Sequence, residues 1–173
     1  QTFGDLVLGP SWAWHSHGNP GADAAIWFDA LDIPLVKMLD ASFFEPYPDE
    51  HHPETRAYES SVSAFGNPAM LPSWDRPAND GASPLLKYQF ATARQALNAL
   101  AEDKASPFDD MILEYVHPVS GGPCTPTMAC FLQRIRAGTK GARHRHTSST
   151  VYVVAEGEGR TVIGDQIHDW EAG

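Results

Sequence analysis

Eight histidines stand in a chain of 173 residues, and four of them form two His-x-His pairs. His15-Ser16-His17 follows Trp12-Ala13-Trp14, and His144-Arg145-His146 follows Gly141-Ala142-Arg143. On a β-strand, residues i and i+2 point to the same face, so each pair is expected to aim two imidazoles into one cavity. Imidazole suits iron, zinc, copper and nickel, so two such pairs point to a metal more strongly than scattered histidines do. Either pair taken alone reads equally well as surface or core histidine. His51, His52, His117 and His168 belong to no constellation and read as loop or strand-end residues.

The elements that must position these pairs are short. Asp5–Leu8, Trp12–His15 and Ala25–Asp32 are expected strands, broken by Gly, Pro and Asn, with Pro34–Leu39 as one helical turn. Pro46, Pro48, Pro53, Pro68, Pro72 and Pro77 punctuate a polar, acidic connector. Within it Ser83-Pro84 reads as N-cap and first helical position, with Leu86, Phe90, Ala93, Leu97 and Leu100 following at helical spacing. The spacing predicts one helix, at about 84–102, whose apolar stripe packs on a sheet. Strands are expected again at Ile112–Val116, Ala129–Ile135, Thr150–Ala155 and Gly159–Ile163, with a hairpin turn at Glu156–Gly159. Many short strands with Gly and Pro turns indicate an all-β sandwich or closed barrel.

Composition narrows the class. A 42% hydrophobic fraction with 20% charged residues is that of a folded domain, and excludes a disordered chain. A net charge of −10 argues against a nucleic-acid or anionic-membrane partner. No apolar run is long enough to span a membrane, and no signal-peptide pattern opens the chain. Arg134, Arg136, Lys140, Arg143 and Arg145 cluster, and read as a solvated strand and turn before a polyanion site. Cys124 and Cys130 have neither C-x-x-C spacing nor a second pair for zinc. They fit a reducing cytoplasm, with both thiols expected to be buried. No P-loop, G-x-G-x-x-G or G-x-S-x-G motif is present.

Two segments carry a resemblance. Gly4, Pro10, Trp12, His15 and Asn19 follow the spacing of the second cupin motif, G-x5-P-x-G-x2-H-x3-N, with Trp12 in place of its middle Gly. Gly138, His144, His146, Thr150 and Gly157 follow the first cupin motif, G-x5-H-x-H-x3,4-E-x6-G, with Thr150 in place of the usual Glu ligand. The motifs stand in reverse order, as they would if the chain ran from the middle of one cupin into the middle of the next. Gly173 then stands as the counterpart of Gly4. More closely, the chain resembles the gentisate 1,2-dioxygenase family, which includes salicylate and 1-hydroxy-2-naphthoate dioxygenases. The carrying stretches are residues 4–19, 25–34, 43–46, 106–109, 118–123 and 157–164.

The resemblance implies two partial cupin barrels (double-stranded β-helices, or jelly rolls): 1–45 as the C-terminal half of a first cupin, 46–125 as a linker, and 126–173 as the N-terminal half of a second. It implies an Fe(II)-dependent enzyme that cleaves gentisate with O2 to maleylpyruvate in aromatic catabolism, or the salicylate or 1-hydroxy-2-naphthoate equivalent. By that resemblance His15 is the third iron ligand of the first cupin, and the other two ligands lie upstream of Gln1. His17 contacts the substrate, where it can exchange a proton. Asp29 orients a histidine or handles a proton, or alternatively satisfies backbone amides at a strand end. His144 and His146 are ligands of a second metal site only if a third partner joins them. The implied protein is cytoplasmic and homotetrameric, and this fragment alone is expected to be inactive. A non-catalytic ligand-binding cupin is the rival class. A cupin isomerase is disfavoured by Thr150.

Overall fold

The structure, a computed structural model, describes residues 2–67, 69–74, 77–78 and 81–173. Pro68, among the prolines of the expected connector, lies outside the described residues. In chain order the elements are β1 (Leu6–Val7), α1 (Ile33–Met38), α2 (Ser60–Phe65), β2 (Lys87–Tyr88), α3 (Phe90–Ala99), a 3-10 turn (Glu102–Lys104), β3 (Met111–Glu114), β4 (Phe131–Arg134), β5 (Glu158–Ile163) and β6 (Gln166–Glu171). The strands pair two by two: β1 with β2, β3 with β4, and β5 with β6. The chain divides into two compact units, one made of Gln1–Leu6, Gln89–Ile112 and Gln133–Gly173, the other of Val7–Tyr88 and Leu113–Leu132.

In the first unit, α3 begins later than its apolar spacing suggests. Lys87–Tyr88 is strand, and the helix starts at Phe90, whose N–H donates to the Asp5 carboxylate at 3.0 Å. Gln89 makes no side-chain cap, so the remote Asp5 both satisfies an orphan donor and places negative charge at the positive helix end. Gly4 makes this docking possible. Its φ is +85°, and a Cβ there would stand 2.6 Å from the Phe90 ring. Arg94 pairs with Glu156 at 2.6 Å, Arg134 donates to Asn98 at 2.6 Å, and Leu97 is buried.

The same unit ends in an antiparallel hairpin, in which Ile163 faces Gln166 and Glu158 faces Glu171. Its turn is Gly164-Asp165, and the expected hairpin of Thr150–Ala155 with Gly159–Ile163 does not form, since Glu158 and Gly159 of its expected turn already belong to β5. Gly164, at φ +63°, supplies the left-handed first position that a two-residue hairpin demands. His168 sits inside β6 opposite Thr161, so it is not a strand-end residue.

In the second unit, α1 forms where a helical turn is expected, with Pro34 in its first turn and Asp32 at the N-cap position. The helix α2 at Ser60–Phe65 has no counterpart in the sequence reading, which predicts one helix only. Ser83 does not cap a helix. Its buried Oγ accepts from the Leu85 N–H at 3.2 Å and shares a hydrogen bond with the Tyr88 hydroxyl at 3.0 Å. That local side-chain turn competes with helix formation, and Leu8 N–H takes the Leu86 carbonyl at 2.8 Å. Together they hold residues 83–88 extended.

Three expected strands join no ladder: Trp12–His15, Ala25–Asp32 and Thr150–Ala155. A strand's polar backbone needs a neighbour, and none of these segments has one. Their apolar side chains stand in the open, with Ile26 98% exposed and Val151, Tyr152 and Val153 about two-thirds exposed.

Candidate functional site

The His15–His17 segment is irregular chain rather than strand, yet it brings the two rings together. Their centroids lie 5.5 Å apart, edge to face, and His17 lies 4.9 Å from Trp27. The His15 Nδ1 donates to the Ala13 carbonyl at 3.1 Å, since a carbonyl only accepts. This bond fixes the tautomer and leaves Nε2 with its lone pair outward, as a metal-ligating imidazole requires. Aromatic rings line the neighbourhood. Trp12 stacks on Phe43 at 4.9 Å, Trp14 meets Tyr47 at 5.1 Å, and Tyr47 meets His52 at 5.3 Å. His52 thus belongs to an aromatic cluster that its sequence position does not announce. Trp12 has φ +64°, the left-handed conformation that the motif's glycine adopts without strain.

Asp29 is exposed, and Asp32 has a definite partner. The Asp32 carboxylate accepts from the Thr127 hydroxyl, tying the start of α1 to the loop after β3.

The second histidine pair is built by different means. The rings of His144 and His146 lie 5.8 Å apart. His146 Nδ1 donates to the Ser148 carbonyl at 2.8 Å, and the Ser148 hydroxyl also lies 2.8 Å from it. This again leaves Nε2 free to ligate. His144 rests 5.1 Å from the Phe108 ring. Phe108 is held by a tight turn in which Ser106 Oγ accepts from the Phe108 and Asp109 N–H groups, each at 3.1 Å. Gly141 passes so close that a Cβ would meet the Phe108 carbonyl oxygen at 2.2 Å. Sequence reasoning notes residues 106–109 only as a matching stretch. The Ser-Pro-x-Asp pattern of a side-chain-closed turn is the signal for their structural role.

The turn closes on Asp110, which is buried at φ +59°. Asp110 accepts from the Arg136 backbone N–H at 2.7 Å and pairs with its guanidinium at 2.8 Å. The Arg136 side chain, then its backbone N–H, hold the Asp110 carboxyl below the usual carboxylate range. Arg134 and Arg136 of the basic cluster are therefore engaged with protein groups.

His117 stands at the turn after β3, where a loop or strand-end residue is expected, but it is buried. It is 2% exposed, accepts at Nδ1 from the Val119 and Ser120 N–H groups, and donates from Nε2 to the Ala82 carbonyl at 3.0 Å. Both ring nitrogens are committed, which makes it a structural staple. Of the two cysteines only Cys124 is buried; Cys130 is partly exposed. Among the described residues no three His, Cys, Asp or Glu side chains converge as a metal-holding group.

No family model matches the chain. Individual proteins do. It is 35% identical over 170 residues to gentisate 1,2-dioxygenase 1 of Aquipseudomonas alcaligenes, covering 98% of this chain and 48% of that protein. It is 36% identical over 172 residues to the 5-aminosalicylate 1,2-dioxygenase of Comamonas sp., covering 98% and 45%. Among solved structures, the salicylate 1,2-dioxygenase of Pseudaminobacter salicylatoxidans superposes with a TM-score of 0.70 at 31% identity, over 82% of this chain and 42% of that one. The same enzyme with gentisate superposes at 0.68.

The paired short strands, the two His-x-His segments and this superposition define a partial cupin fold of the dioxygenase type. Along nearly its whole length the chain is similar to gentisate, 5-aminosalicylate and 1-hydroxy-2-naphthoate 1,2-dioxygenases. It spans about half the length of the curated relatives it matches.

Proposed function

We propose that the protein carrying this chain is a ring-cleaving dioxygenase that opens gentisate with O2 to give maleylpyruvate, in the cytoplasm and as a homotetramer. The observation that carries the reading is the unbroken similarity to ring-cleaving dioxygenases across 98% of the chain, at 35–36% identity. The exposed apolar segments 25–32 and 150–155 support a division into 1–45, from one cupin, and 126–173, from the next, joined by 46–125. Each apolar segment would become a strand on pairing with the other half of its barrel.

The donor set fits ferrous iron in part. His15 supplies a neutral imidazole with Nε2 free, and His146, beside His144, supplies another. Ferrous iron, when bound, supplies the open coordination positions and redox chemistry for ring opening by O2. His15 would be one of three ligands in the first cupin, and His144 with His146 would contribute to a second site. His17, whose ring contacts those of His15 and Trp27, would hydrogen-bond a substrate hydroxyl or carboxylate and move its proton. Asp29, two residues beyond Trp27, would orient that imidazole.

Oxygen uptake by the full-length protein tests the reading, with gentisate, salicylate and 1-hydroxy-2-naphthoate compared with and without added Fe(II). Uptake is expected with gentisate and iron. Preference for either other acid would reassign the substrate within the family. No uptake with any of the three would favour a non-catalytic ligand-binding cupin.

A further inference from the structure

His17 is held differently from its neighbour His15. The His15 ring donates to the Ala13 carbonyl, and that bond fixes the plane of its imidazole. Among the described residues no hydrogen bond reaches the His17 ring. Its neighbours are two other rings: His15 at 5.5 Å, edge to face, and Trp27 at 4.9 Å, with the planes tilted by 46°. An imidazole held in this way takes its orientation from packing, and the larger partner is the indole of Trp27.

The chain is shaped to make that contact. Gly18-Asn19-Pro20-Gly21 follows His17 and turns the backbone before Trp27. Asn19 closes the turn with both ends of its amide. Its Nδ2 donates to the Asp23 carbonyl at 2.7 Å, and its Oδ1 accepts from the Gly21 N–H at 3.0 Å. Such local bonding to the backbone is what suits asparagine to turns. At the far end of the segment the Asp32 carboxylate accepts from the Thr127 hydroxyl, where α1 begins. Trp27 therefore sits on a stretch tied down on both sides. Asn19 is the last residue of the motif that begins at Gly4, and neither metal binding nor proton transfer uses it.

We propose that Trp27 is a positioning residue for His17, brought onto it by the turn that Asn19 closes. The inference rests on the ring-cleavage reading, in which His17 bonds an oxygen of the aromatic acid and moves its proton. Proton transfer needs the imidazole nitrogen within hydrogen-bond reach of that oxygen, and a misplacement of about 1 Å can cost ~100-fold in rate. Trp27 supports the ring through packing, whereas the role given to Asp29 is at a ring nitrogen, so the two supports are separate. Acting through His17, Trp27 governs the rate of the chemical step more than the binding of the acid.

The test is a double-mutant cycle in the full-length, iron-loaded protein. Oxygen uptake with gentisate gives kcat and KM, metal analysis gives iron content, and calorimetry without oxygen gives gentisate affinity. Trp27→Ala is expected to keep its iron, to hold that affinity within about threefold, and to lose roughly 10–100-fold in kcat. Trp27→Phe keeps an aromatic ring and is expected to recover most of the loss. In His17→Ala, where turnover is already about 10²–10⁴-fold lower, Trp27→Ala is expected to cost nothing more. An undiminished effect of Trp27→Ala in that background overturns the proposal, because Trp27 then acts without His17. Unimpaired kcat in Trp27→Ala overturns it too, as does loss of iron, which would put the effect on His15. If Trp27→Ala fails to fold, Trp27→Leu, which keeps apolar volume without an aromatic face, takes its place in every arm. A wild type with no uptake on gentisate, salicylate or 1-hydroxy-2-naphthoate overturns the ring-cleavage reading and this inference with it, whereas an active wild type with any of the contrary variant results overturns the inference alone.

Discussion

Replacing Asp110 by asparagine isolates the charge that locks the turn under His144. Asparagine keeps the shape and accepts the left-handed φ of +59°, so the backbone is unstrained by the change. Its Oδ1 can still take the Arg136 N–H, now at 2.7 Å. What is lost is the charge-assisted pairing of the carboxylate with the guanidinium, at 2.8 Å and 3.0 Å. A hydrogen bond to a charged group contributes about 1.5–3 kcal/mol, and breaking a fully buried pair costs ~3–5 kcal/mol. Asp110 is buried but the Arg136 side chain is 38% exposed, so water rehydrates the cation left behind. The lower range applies, and Asp110→Asn should destabilise by about 1.5–3 kcal/mol. Asp110→Ala should cost about 1 kcal/mol more, because alanine also meets the left-handed backbone penalty. Urea unfolding at neutral pH measures both. The sign of the pH dependence follows from a carboxyl held below its ordinary 3.8. Its contribution is present above that value and is lost as pH falls through the lower folded value, so wild type and Asp110→Asn should converge under acid. A difference below about 0.5 kcal/mol at neutral pH, or one that persists in acid, would refute the reasoning.

Substitutions at three other positions probe separate supports. Gly4→Ala puts a Cβ 2.6 Å from the Phe90 ring at φ +85°, and should cost roughly 2–4 kcal/mol in a denaturant melt. At Trp12, glycine relieves the φ of +64° but gives up the Phe43 stack, whereas alanine gives up the stack and keeps the strain. Trp12→Gly should therefore be the more stable of the two by about 1 kcal/mol in the same melt. His117→Ala orphans the Ala82 carbonyl and two N–H groups, at a cost of roughly 2–4 kcal/mol, and His117→Asn should recover part of it.

The features legible in the sequence are those whose cause is local. The helical turn at Pro34 follows from proline's fixed φ, and the two His-x-His pairs survive as neighbouring rings. Trp12 marks a backbone position that a motif glycine would occupy, and it adopts the glycine-like φ. The features that escaped are decided at long range. The start of α3 is fixed by Asp5, which lies 85 residues earlier, and no window around Ser83 contains that information. Ser83-Pro84 carries the right residues for a cap, but Ser83 is spent on Leu85 and Tyr88. The burial of His117 in its turn escaped because its partners are backbone groups, which leave no trace in side-chain pattern. The segments Trp12–His15, Ala25–Asp32 and Thr150–Ala155 have strand composition without strand pairing. Composition reports the face a segment can bury, and pairing depends on which neighbour is present.

The most direct measurement for the central claim is iron-dependent oxygen consumption by the full-length protein with gentisate, in wild type and His15→Ala side by side. Uptake coupled to ring-opened product is expected in wild type. His15→Ala is expected to lose bound iron together with uptake, while His17→Ala retains iron and loses turnover. Full activity in His15→Ala would contradict it, and so would equal iron loss in both variants.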